Sequence, residues 1–122
     1  MFPAGRGAAQ SLSGPATIVH GHLWFDLAVV VHELAPNAAK YGALSRPEGR
    51  VEIAWDPETE TGSLRLVWRD MGGPTVTPPK GTGLGSQVVR CFPSRRPSAE
   101  VRFESEGLVW TALLPKGTFR TA

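Results

Sequence analysis

Apolar residues recur at three- and four-residue steps from Leu23 through Leu27, Val30, Leu34 and Ala38, which draws one stripe along a helix. The spacing predicts a helix over 23–41, with Gly42 as a left-handed stop. Glu33, Asn37 and Lys40 follow the same steps on a neighbouring stripe, because residues three and four apart lie one above another. A carboxylate, a carboxamide and an ammonium thus project together from the mostly buried part of a helix. Charged groups are seldom buried unless paired, so this face is costly for a purely structural helix. It suits a face lining a pocket for an anionic ligand and a metal. Pro36 falls inside the same helix, where a proline removes one backbone hydrogen bond and presses on the carbonyl of His32, at a cost of about 3 kcal/mol.

The rest of the chain reads with period two. Val51, Ile53 and Trp55 alternate with Arg50, Glu52 and Ala54, and Leu64, Leu66 and Trp68 alternate with Arg65, Val67 and Arg69. The polar run 56–62 between them is a hairpin loop, and 45–49 is a turn. Ala16 to Val19 is a short strand after the Gly14-Pro15 break. Val101 and Phe103 begin another strand, Ser105-Glu106-Gly107 turns, and Leu108 to Leu114 closes the series before Pro115. Residues 75–80 have no periodicity and read as a loop. Gln87 to Phe92 starts a short helix that Pro93 and Pro97 end early. One long helix, two antiparallel strands, a loop, a short helix and two more strands make an α+β two-layer sandwich, with helices on one face of a mixed, mostly antiparallel sheet. The domain spans 14–116, between a flexible segment 1–13 and a tail 117–122.

Composition narrows the classes. A chain of 122 residues suits one core, and 41% hydrophobic residues is ordinary for a globular protein. A net charge of +2 with scattered basic residues argues against nucleic acid, and Arg95-Arg96 reads as a solvated turn. No apolar run approaches the roughly 20 residues of a membrane span, so no membrane contact is expected. Cys91 stands alone, which forbids an internal disulfide and suggests a reducing cytoplasmic setting. His20-Gly21-His22 lacks a third ligand at zinc spacing and reads as a loop into the helix.

Two further stretches carry candidate chemistry. Asp70-Met71-Gly72-Gly73-Pro74 follows a strand, and on spacing alone it is a turn. Gly81-Thr82-Gly83-Leu84-Gly85-Ser86 is a glycine-rich turn opening a helix, where backbone amides can face phosphate oxygens, although a lone Gly-x-Gly-x-Gly is weak. Taken in order with the helix, the three are specific. His32-Glu33-Leu34-x-x-Asn37-Ala38-x-Lys40-Tyr41-Gly42-Ala43-Leu44 resembles the N box of the GHKL ATPases, and more closely that of the HWE histidine kinases, which are named for a histidine in the N box and a Trp-x-Glu in the next motif. Trp68-x-Asp70 falls where that pattern has Trp-x-Glu, and 81–86 matches the following glycine box.

The resemblance covers about 14–115 and implies the Bergerat ATP-binding fold, with 75–80 as a short ATP lid. It implies ATP and Mg²⁺ as cofactors. Asn37 would ligate Mg²⁺ through its side-chain oxygen, a hard donor for a hard ion. Glu33 would position a water or act as general base; its bland alternative is a surface salt bridge to Lys40. Lys40 and Tyr41 would sit at the phosphates, and His32 would contact a phosphate when protonated or else serve as a packed histidine. Asp70 would accept from the adenine amino group, Gly72 would let the backbone approach the base, and Gly81, Gly83, Leu84 and Gly85 would cradle phosphate. Thr111 would lie near Asp70, or else serve only strand propensity. The implied reaction passes the ATP γ-phosphate to a phosphoacceptor histidine on a separate domain, with a response regulator downstream. None of His20, His22 and His32 lies in a phosphoacceptor-like segment. Two alternatives stand beside this: a degenerate nucleotide-binding scaffold, for which Pro36 and the broken second helix argue, and an anti-sigma-type GHKL serine kinase, against which the Trp68-x-Asp70-x-Gly-Gly-Pro wording argues.

Overall fold

The computed structural model describes residues 10–40, 42–74 and 99–122. Tyr41, the lid at 75–80, the glycine box with Gly81, Gly83, Leu84 and Gly85, and the helix expected from Gln87 lie outside the described residues. The elements run β1 (Gln10–Ser13), β2 (Thr17–Val19), α1 (His22–Lys40), a 3₁₀ turn (Ala43–Ser45), β3 (Arg50–Pro57), β4 (Leu64–Met71), β5 (Glu100–Glu104), β6 (Gly107–Leu114) and β7 (Phe119–Thr121). Five strands form one sheet in the order β1-β3-β4-β6-β5, and β2 pairs with β7 in a separate ribbon. The β1–β3 pair is parallel and the other pairs of the sheet are antiparallel, so the sheet is mixed and mostly antiparallel, as expected.

The alternation of β3, β4 and β6 decides where the core lies. Ile53 faces Trp68 and Trp68 faces Trp110 across the ladders, so Val51, Ile53, Leu64, Trp68, Trp110, Ala112 and Leu114 share one face. The helix lays its apolar stripe on that face: Leu23, Val30, Leu34 and Ala38 are buried and Leu27 is half-buried. Burying each such aliphatic side chain contributes about 1.5–3 kcal/mol, which outweighs the few tenths that separate helix propensities. The opposite face is mixed: it carries the Arg69–Glu104 and Arg102–Glu104 pairs at 3.8 and 3.5 Å beside Val67 and the buried Val109.

Pro36 does not break α1, which continues from His22 to Lys40 with Pro36 on its exposed side. There the carbonyl of His32 that loses its partner can be met by water.

Two short strands arise where the sequence suggested none. Gln10–Ser13, expected as part of a flexible lead, pairs in parallel with Val51–Ala54. Phe119–Thr121, expected as tail, pairs antiparallel with β2. Both owe their structure to distant backbone partners rather than to a period of their own. The β2–β7 ribbon also reaches the start of the helix, since the amide of His20 donates to Thr118 O at 2.9 Å.

Candidate functional site

Asp70 is the one buried charged residue among the described core, at 5% exposure. It lies near the end of β4, two residues beyond Trp68, and strand alternation puts both side chains on the face beneath the helix. Its carboxylate takes three donors from the protein. The indole Nε1–H of Trp68 donates to Oδ1 at 3.1 Å. The amide of Leu108 donates to Oδ2 at 3.3 Å, and the amide of Ala43 is a third donor. Burial nonetheless pushes the Asp70 carboxyl above its usual range, with the three hydrogen bonds pulling the other way.

Glycines make room for this group. A Cβ on Gly107, whose φ is +132°, would meet Asp70 Cβ at 2.5 Å. A Cβ on Gly42 would meet Asp70 Oδ2 at 2.6 Å and the Ala38 Cα at 3.0 Å. Gly42 is therefore not the left-handed stop the sequence suggested: its φ is −105°, and it is glycine because the end of α1 presses on the carboxylate. Its amide caps the helix by donating to Asn37 O at 3.0 Å. Gly72 does adopt a left-handed φ of +70°, and its Cα faces backbone, with Glu48 O 3.0 Å from where a Cβ would stand.

This contact between Gly42 and Asp70 brings the helix and the strand end together. On α1, Glu33 is half-buried while His32, Asn37 and Lys40 are exposed. Among the described residues the ion pairs join Arg65 to Glu58, Arg69 to Glu104, and Arg102 to Glu100 and Glu104, so none ties Glu33 to Lys40. Among the described residues, then, no ion pair occupies the charged groups on this face of the helix. No group of three His, Cys, Asp or Glu side chains that could hold a metal occurs among the described residues. The donors Asn37 and Glu33 still fit Mg²⁺, which keeps several waters and commonly takes one or two protein oxygens together with substrate phosphates.

Thr111 does not join this site. It pairs with Val67, and Val67 points to the face opposite Trp68 and Asp70. The residue of β6 that reaches Asp70 is Leu108, through its backbone. A shift of three positions along a strand changes the face as well as the distance, and face parity was the signal that could have excluded Thr111. Sequence reasoning also missed Ala43, Leu108 and Gly107, whose contributions come from the backbone or from the lack of a side chain.

The raised pKa of Asp70 gives a signed expectation. The folded state holds the proton more tightly than the unfolded chain, so this group's contribution to stability falls as pH rises from about the unfolded value, 3.8, through the folded pKa. Denaturation curves against pH should show an Asp70-dependent gain in stability on acidification through that window, absent in Asp70→Asn. Binding of a ligand that donates to the ionised carboxylate should change in the opposite sense and weaken there.

No protein-family model matches the chain. Over 108 residues, 84% of this chain, it is 53% identical to blue-light-activated histidine kinase 1 of Erythrobacter litoralis strain HTCC2594. It is 34% identical over 107 residues to the blue-light-activated histidine kinase of Brucella anthropi. The match spans only 29% and 22% of those proteins' lengths. Among solved structures, the histidine kinase domain of a blue-light activated histidine kinase from Erythrobacter litoralis superposes with a TM-score of 0.61 at 21% identity, covering 88% of this chain and 55% of that one. The catalytic domain of the histidine kinase ThkA superposes with a TM-score of 0.56 at 16% identity, covering 88% and 77%. Among the described residues no helix is long and apolar enough to cross a membrane.

Proposed function

Because the chain belongs with the catalytic domains of the histidine kinases, we propose that it binds ATP with Mg²⁺ and supplies the γ-phosphate to a phosphoacceptor histidine on a separate domain or partner, from which a response regulator would take it. The observation that carries this reading is the abutment of Gly42 on Asp70. It brings the end of the helix that carries Glu33, Asn37 and Lys40 against the strand end that carries the anchored carboxylate, which supports a reading with a phosphate end on the helix and a base end at Asp70.

Asp70 would accept from the exocyclic amine of adenine, since an ionised carboxylate only accepts. Asn37 would hold Mg²⁺ through its side-chain oxygen, and the ion when bound would neutralise charge on the phosphate oxygens. Lys40, and His32 when protonated, would add positive charge there. Glu33 would orient a water at that end or take the proton released by the attacking group. Tyr41 and the glycine box Gly81, Gly83, Leu84 and Gly85 would complete the phosphate end by resemblance. Phosphoryl transfer demands positioning and charge neutralisation more than covalent help from the protein, so these few groups suffice.

The test is transfer in trans. With γ-labelled ATP, Mg²⁺ and the phosphoacceptor domain of a related histidine kinase, the label should move to that domain as an acid-labile, base-stable phosphohistidine. Acid-stable label on serine would favour the anti-sigma-type alternative. A chain that binds ATP and transfers nothing would favour the nucleotide-binding scaffold.

A further inference from the structure

We propose that Trp68 is a positioning residue for purine recognition: its indole N–H fixes the Asp70 carboxylate so that the acceptor site left over points at an exocyclic amine. The proposal rests on the reading of Asp70 as the adenine acceptor and assigns a second residue to that recognition.

A carboxylate offers about four lone-pair sites. The Trp68 indole, the Leu108 amide and the Ala43 amide use three of them, which leaves about one for a ligand. The torsion that turns a carboxylate about its Cβ–Cγ bond is broad and roughly two-fold, so an aspartate does not fix its own oxygens. Leu108 and Ala43 arrive from β6 and from the 3₁₀ turn. Trp68 comes from the same strand as Asp70 and takes the oxygen opposite the one bound by Leu108. With both oxygens held, and with Gly42 and Gly107 closing on the carboxylate, the remaining direction is set before any ligand arrives. Aspartate here is one methylene shorter than the glutamate of the Trp-x-Glu pattern, which shortens its reach and makes the hold on its orientation count for more. A buried indole commonly finds some acceptor, so packing alone would explain a hydrogen bond. Packing alone would not explain a dependence of base selectivity on that bond, and this separates the two.

The experiment compares ATP with purine riboside triphosphate, which lacks the exocyclic amine, by calorimetry with Mg²⁺. Three proteins are used: the parent chain, Trp68→Phe, and a chain with benzothienylalanine at position 68, in which sulfur replaces the indole N–H and the ring shape is kept. The parent should prefer ATP by about tenfold or more, the scale of a hydrogen bond to a charged group. Both variants should bring that preference to about threefold or less, through weaker ATP binding, because a loosened carboxylate loses the amine while the triphosphate contacts persist. A benzothienyl variant that folds and keeps the parental preference overturns the proposal and leaves the Asp70 reading intact. A parent that binds both nucleotides equally, or neither, overturns the Asp70 reading and the proposal with it. If Trp68→Phe does not fold, the benzothienyl chain alone decides.

Discussion

Asp70→Asn should lose stability and nucleotide affinity together. The change preserves shape, so a cavity is not at issue. What changes is the fit of donors to acceptors. The indole of Trp68 and the amides of Leu108 and Ala43 all donate, and they approach both oxygens. An asparagine must turn its NH₂ toward one of them, which sets donor against donor in a site that is 5% exposed. An unsatisfied buried donor costs about 1–3 kcal/mol. Removing the charge relieves some desolvation, since burial is the main influence on this carboxyl. Neutralising this carboxyl by itself favours the fold, but an NH₂ set against the N–H donors costs more than that relief, so the net change is a loss. ATP affinity should fall about tenfold or more, because a neutral amide is the weaker acceptor for the amine and its orientation is compromised. Chemical denaturation and calorimetry read the two effects. Unchanged values of both would mean that the three donors do not organise the site.

Gly49→Ala should be at least as damaging, although Gly49 touches no proposed ligand. A Cβ there would overlap the carbonyl oxygen of Ala43, and Ala43 is fully buried. The clash is with backbone, which cannot swing aside as a side-chain tip can. Ala43 is also blocked on its other side, where a Cβ on Gly73 would stand 2.5 Å from its Cα. The 3₁₀ turn would have to move as a unit, taking the Ala43 amide from Asp70 and disturbing the end of α1. Overpacking of this kind costs about 1–3 kcal/mol, occasionally more, and nucleotide binding should weaken with it. A thermal melt and an ATP titration check both. A variant with parental stability and affinity would show that the turn yields without disturbing Asp70.

These two residues also mark how far the sequence could be read. The stripe from Leu23 to Ala38 located α1, and the alternations around Ile53, Trp68 and Trp110 located the central strands, because each element buries one face of its own period. Asp70 was legible as a carboxylate at a strand end with Gly72 beyond it. The two-residue step from Trp68 to Asp70 put both on one face, so their bond could have been read from spacing. The donors from Ala43 and Leu108 could not, because every residue but proline carries such an amide. Gly42 and Gly49 were visible as glycines but not as close approaches, which depend on elements distant in sequence. Thr111 was placed by resemblance against the parity of its own strand, and the register corrected it. β1 and β7 were missed because Gln10–Ser13 and Phe119–Thr121 each carry a single large apolar residue and gain their order from partners elsewhere in the chain.

The central claim is that the end of α1 and Asp70 form one Mg²⁺-dependent ATP site. The direct measurement is calorimetric titration of a non-hydrolysable ATP analogue, with and without Mg²⁺, into this chain and into Asn37→Ala. Asn37 is exposed on the helix and its side chain supports no described contact in the core, so the variant should fold normally. Binding should require Mg²⁺ in the parent and disappear, or fall by about a hundredfold, in Asn37→Ala, as the loss of a metal-binding oxygen implies. A folded parent that binds no analogue, or a variant that binds as the parent does with the same dependence on Mg²⁺, would contradict the account.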